Sequence, residues 1–187
     1  MTQPPARHDE GFASFFERFE IDDILKRIEG VSVFVTVLGP GAQQEGFAKR
    51  EQIREAVGAL KGVTVCFPED EDVQAGLTQR FQYDPDRSFT RNILLLANIS
   101  DVVMALEAAE GVRQEIAQLA SYPYLRHKLI LLRPQEAPPS AMADNIRQGV
   151  DEHRYSQADF ESCDLARNAC PHRVRERQID KCLQELR

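Results

Sequence analysis

The stretch Ser100–Ala120, "SDVVMALEAAEGVRQEIAQLA", decides the fold. Val102–Leu106 is a short, unbroken apolar run opened by Asp101, the pattern of a strand covered on both faces. "EAAEG" interrupts it, and a helix is predicted from about Gly111 to just before "YPY" at Tyr122. A glutamate, Glu115, then lies about one turn inside that helix, at the mouth of the sheet that the strand implies.

The same strand-then-helix alternation extends in both directions. Upstream, "VSVFVTV" (Val31–Val37) is β-branched and almost continuously apolar, "LGPG" breaks it, and a helix is predicted from about Gln43 to Leu60. "GVTVCFP" is a second short strand ending at Pro68, and the acidic run Glu69–Asp72 reads as a solvated loop. A helix is predicted from Ser88 to Asn98. Downstream, "KLILLRP" (Lys128–Pro134) is the clearest strand, and "EAPPS" is a turn with Ser140 as N-cap of a short helix. A weak edge strand around His153–Tyr155 precedes one or two C-terminal helices centred on "RVRERQIDKCLQEL".

Alternation of this kind predicts an α/β fold, a three-layer flavodoxin-like or Rossmann-like sandwich around a mostly parallel five-stranded sheet. Residues 1–29 read as a tail and helical extension, and residues 30–187 as one α/β domain with C-terminal helices. In the extension Phe12, Phe15, Phe16 and Phe19 recur at helical spacing. Such a stripe costs ~1.5–3 kcal/mol per ring to leave wet, so it packs on the sheet or joins two copies in a homo-oligomer.

Composition narrows the function classes. Against 30 Asp+Glu stand 23 Lys+Arg, a net charge of −7, which disfavours DNA as a partner and leaves small molecules open. No apolar run is long enough to cross a membrane and "MTQPPARHDEGF" has no apolar signal core, so the expected location is the cytoplasm. The chain has neither a Gly-x-Gly-x-x-Gly nor a phosphate-loop motif, and Cys163, Cys170, His172 and Cys182 fit no paired zinc-ligand spacing, so no cofactor and no metal are expected.

In such sheets ligands sit at the carboxyl ends of the strands, where strand order reverses. "LGPG", "CFPEDED" and "EAAEG" each follow a strand and converge on that rim. The helix dipole favours an anion near its start by ~0.3–1 kcal/mol. Holding Glu115 neutral at pH 7 needs about 3.7 kcal/mol of desolvation, more than an open cleft supplies, so the carboxylate is expected to be ionised. A charged carboxylate in a cleft suits attack on an electron-poor carbon or support of an oxocarbenium-like transition state. Glu110 and Asp101 are the nearest acidic partners along the chain, Asp101 at the strand's opposite end and better suited to a structural role.

"FVTVLGPG", "GVTVCFP", "SDVVMALEAAEGVRQEIAQLA" and "HKLILLRP" together resemble the nucleoside 2-deoxyribosyltransferase family, over roughly Val31–Pro134. That family is similar in turn to the Toll/interleukin-receptor domains that cleave NAD. The resemblance implies an enzyme that breaks an N-glycosidic bond in a nucleoside, nucleotide or NAD. It places Glu115 as nucleophile, Asp101 as the strand-leading aspartate and Glu110 as the acid before the glycine. Thr36, Gly39, Pro40, Gly41, Pro68 and Gly111 fall on the sugar- or base-binding positions. The chain departs from the family pattern at Thr36, Val112 and Ala117, where tyrosine, threonine and glycine are usual, so deoxyribose specificity is not implied. The rival expectation on the same fold is a non-catalytic nucleotide sensor or protein-interaction module.

Overall fold

A computed structural model describes residues 21–81, 89–108, 110–137 and 149–185. The phenylalanine stripe at 12–19 and Ser140 with its short helix lie outside the described residues. The elements run α1 (Ile21–Gly30), β1 (Val33–Leu38), α2 (Phe47–Gly58), β2 (Val63–Cys66), α3 (Glu71–Phe81) and α4 (Phe89–Ile99). They continue with β3 (Val102–Leu106), α5 (Glu110–Ser121), α6 (Pro123–Arg126), β4 (Leu129–Pro134) and β5 (Asp151–Tyr155). α7 (Gln157–Ser162), a π-helical turn (Leu165–Ala169) and α8 (Cys170–Glu185) follow.

The five strands pair parallel throughout, in the order β2-β1-β3-β4-β5. This is a flavodoxin-like order, and the chain reverses its direction of travel across the sheet between β1 and β3. Alternation along the strands sorts side chains into two cores. Val33, Val35, Val37, Met104, Leu106, Ile130 and Leu132 face one way and pack with Ile28 of α1, Ile53 and Val57 of α2, and Val174 of α8. Leu38, Val103, Ala105, Leu129 and Leu131 face the other way, against Ile93 and Ala97 of α4 and Val112, Ile116 and Leu119 of α5. Each face of the sheet is covered, so the strands read in sequence as continuous apolar runs, and the expected three-layer sandwich is the fold.

Two elements differ from the expectation. The helix after β1 begins at Phe47, because residues before it turn around Gly46, whose φ of +92° is a left-handed conformation suited to glycine. The acidic stretch after β2 is no loop throughout: Glu71 and Asp72 form the first turn of α3, where the helix dipole favours negative charge. Asp70 starts that helix, its carbonyl accepting from the Gln74 N–H at 2.9 Å and its carboxylate from the Phe67 N–H at 2.7 Å.

Asp101 holds the amino-terminal edge of the sheet. Its carboxylate accepts the Phe34 N–H at 2.9 Å and the Lys181 ammonium at 2.9 Å, and Lys181 also donates to the Ser32 carbonyl at 2.7 Å. The sequence-based expectation of a structural Asp101 therefore matches its place, and α8 is stapled to β1 and β3 through it. Asp101→Ala is expected to cost about 1–2 kcal/mol, more than Lys181→Ala, since Asp101 also accepts a part-buried backbone N–H. Thermal denaturation of both variants checks the order, each kcal/mol lowering the midpoint by about 2–4 °C in a chain of this size.

Candidate functional site

At the carboxyl edge, where strand order reverses, the loops after β1 and β2 and the start of α5 enclose an open cavity of about 590 Å³. Leu38, Gly39 and Gly41 line it from β1, Pro68 and Glu69 from β2, and Gly111, Val112 and Glu115 from α5. Gln43, Gln44 and the α2 residue Arg50 close the remaining side. Five residues singled out by sequence thus meet here: Gly39, Gly41, Pro68, Gly111 and Glu115.

Arg50 organises the wall. The whole residue is 2 % exposed. It donates to the Val37 carbonyl through Nε (3.2 Å) and Nη2 (2.9 Å), and to the Pro40 carbonyl through Nη1 (3.2 Å). Nη1 and Nη2 also grip the two carboxylate oxygens of Glu69, Nη2 to Oε2 at 2.9 Å. All five N–H donors are engaged, and the flat face of the cation lies 4.0 Å from the Phe67 ring centre. Gly39 is required beside it, since a Cβ there would stand 2.9 Å from Arg50 Cδ. One side chain on α2 therefore joins the loop after β1 to the loop after β2.

Burial raises the Glu115 carboxyl to about 7, its first cause; nearby Arg50 pulls it down and Glu69 pushes it up. The expectation of a fully ionised Glu115 is thereby corrected: near pH 7 both forms are populated. The reason is positional. α5 opens at Glu110, so Glu115 is past the first turn, where the dipole would have opposed desolvation.

Asp101, Thr36 and Pro40 do not line the cavity. Asp101 is at the opposite edge of the sheet, bound to Lys181 and Phe34. Thr36 is buried, its hydroxyl 2.7 Å from Ser100 Oγ and 3.5 Å from Cys66 Sγ, so the position where the family usually has tyrosine is closed to ligand here. Pro40 stands behind the lining, its carbonyl held by Arg50. Glu110 is the first residue of α5, and its side chain lies outside the described set.

Sequence reasoning passed over Arg50 and Glu69, the ion pair of the cavity wall. It also passed over Glu107, directly after β3, which is buried between Arg133 (Nε to Oε2, 2.6 Å) and Arg113 (Nε to Oε1, 3.0 Å). Arg133 reaches on to Glu152 at 3.2 Å, so this network ties β3, β4, β5 and α5 together. A signal for it was present: an arginine inside the apolar run "KLILLRP" needs a buried partner. No family model matches the chain, and no curated protein matches it either.

Two outcomes follow from this geometry. Arg50→Met removes the side-chain donors of the Val37 and Pro40 carbonyls and leaves Glu69 without Arg50; it is expected to destabilise by about 3 kcal/mol, read from urea unfolding, with Arg50→Lys recovering only part. Glu115, raised in the fold from 4.5 to about 7, binds its proton more tightly folded than unfolded. Its contribution is complete below about pH 4.5 and is lost as pH rises through about 7. Glu115→Gln, which cannot ionise, is therefore expected to melt above the parent at pH 8 and level with it below pH 4.5.

Proposed function

We propose that this chain is an enzyme cleaving the N-glycosidic bond of a nucleoside, nucleotide or NAD, with Glu115 as the nucleophile. The observation that supports this best is a carboxyl group half-buried in a cavity at the switch point of a parallel sheet, with its ionisation displaced to about 7. The resemblance in sequence along Val31–Pro134 places the same residue in the same role.

In the first step a Glu115 oxygen forms a bond to the anomeric carbon while the carbon–nitrogen bond breaks, its electron pair leaving with the base. Water or a second base then attacks the anomeric carbon and frees the carboxylate, giving hydrolysis or transfer. Glu110, at the start of the same helix, is the candidate for protonating the departing nitrogen. The partial burial that raises Glu115 also strengthens the carboxylate's interaction with a developing cationic sugar.

The test is incubation of the protein with nucleosides, nucleotides and NAD, with released base measured by chromatography. Release from at least one compound is expected, falling by about 10³-fold or more in Glu115→Gln. As a nucleophile Glu115 acts ionised, so kcat/KM should climb about tenfold per pH unit up to about 7 and then level off. A profile that falls through the same region assigns Glu115 as an acid instead. Tight binding of a nucleotide with no base released after long incubation identifies a sensing module and rejects the catalytic reading.

A further inference from the structure

Glu69 and Glu115 are the two carboxylates among the described residues of the cavity wall, and they reach it from different directions. Glu115 is carried by α5, whose Val112 and Ile116 pack on one face of the sheet. Glu69 follows β2 and is gripped by Arg50 of α2, the helix whose Ile53 and Val57 pack on the other face. β1 runs between β2 and β3, so the loop after β1 lies between the two acids. Glu69 is also held in place. Arg50 takes both of its oxygens, and Asp70 ties down the turn by accepting the Phe67 N–H at 2.7 Å and pairing with Arg54 at 2.8 Å.

Displacement at an anomeric carbon is in line. Once Glu115 holds the sugar as an ester and the base has left, the second nucleophile enters from the face that Glu115 does not cover. We propose that Glu69, on the far side of the cavity from Glu115, positions the water that completes the reaction by accepting one of its O–H groups. This rests on the N-glycosidic reading above and names the residue that serves its second step. The fork of Arg50 occupies the two converging lone pairs of Glu69 and leaves each oxygen one pair directed away, which is enough for a single O–H donor. The side chain is 44 % exposed, so water has access to it.

The step balances. The water oxygen bonds to the anomeric carbon, the ester bond from that carbon to Glu115 breaks, and its electron pair returns to the Glu115 carboxylate. The proton that water loses passes by way of Glu69 to solvent and offsets the one taken up by the departed base. Held as a carboxylate by a guanidinium, Glu69 has no proton to offer that base, which leaves the first step to Glu110. The rest of the described wall supplies no substitute. Gln43 and Gln44 are amides, Arg50 is a donor with its five N–H groups engaged, and the other residues are glycine or apolar.

Rapid-quench single turnovers, with the full chain in excess over nucleosides, nucleotides or NAD, separate the two steps: released base reports the first and released sugar the second. Glu69→Gln keeps an oxygen for Arg50. It is expected to slow sugar release about 100-fold and base release about tenfold less than that, so glycosylated protein accumulates and shows as added mass after acid quench. Azide has no proton to lose, and it should speed sugar release from Glu69→Ala about tenfold or more, with a glycosyl azide as product. A merely displaced loop would slow both steps and gain nothing from azide. Thermal melts establish that both variants are folded at the assay temperature. Base and sugar release slowed alike, sugar release unchanged, or no acceleration by azide overturns the role of Glu69 while the N-glycosidic reading stands. A parent chain that releases no base from any of these compounds overturns both.

Discussion

A buried guanidinium is the constraint around which the carboxyl edge of this sheet is arranged. An arginine that is 2 % exposed loses hydration that only well-placed acceptors can replace. Arg50 finds them in the Val37 and Pro40 carbonyls and the Glu69 carboxylate. One acceptor lies at the end of β1 and the other two in the loops after β1 and β2, so satisfying one cation fixes both loops against the sheet. The consequences propagate outward: Gly39 can carry no side chain, the chain after β1 must bend toward α2, and Glu69 must face the cavity. Distributed over a rigid frame, these are demands on sequence that no single motif expresses.

The same arrangement explains why Glu115 is balanced between its two charge states. Burial pushes its carboxyl up by more than Arg50 pulls it down. Arg50 is paired with Glu69, and the two act on Glu115 in opposite directions. Their effects partly offset, and desolvation by burial, the largest influence, carries the carboxyl to about 7. A carboxyl that works against the fold whenever it is charged has no evident structural use, and sites of chemistry are where such tension accumulates. The ion pair thus shapes the cavity and also leaves its acid titratable.

Much of the architecture was legible because strands covered on both faces must be apolar throughout. Val33–Leu38, Val102–Leu106 and Leu129–Pro134 stand out for that reason, and their alternation with helices implies parallel pairing and a ligand-bearing rim. Glu115 was legible as a rim acid because it follows Val102–Leu106 by a loop and one helical turn. Its charge state was not, since that depends on burial and on two residues remote in sequence. Arg50 lies in "AKREQIREAVG", where a charged residue between other charged residues looks like a solvated helix face; only its depth in the fold distinguishes it. Glu69 was hidden likewise in "PEDED", a run whose four acids have different surroundings: one grips Arg50, one starts α3, and two sit in that helix's first turn. Asp101, though near Glu115 along the chain, was legible as structural, because it precedes the strand that Glu115 follows.

That separation shows how one segment serves two ends. Asp101 and Glu115 are carboxylates within the 21-residue stretch that decides the fold, and strand polarity assigns them different work. Asp101 precedes β3, where the sheet's amino edge presents the Phe34 N–H and the α8 ammonium, so its charge is matched and its role is to fasten. Glu115 follows β3 and lies beyond the first turn of α5, where it faces a cavity. In a parallel sheet every strand delivers its successor loop to the same rim, so residues placed after strands collect there while those placed before strands cannot. A carboxylate's order relative to its strand, more than its distance from a neighbour in sequence, decides whether it stabilises the sheet or faces a ligand.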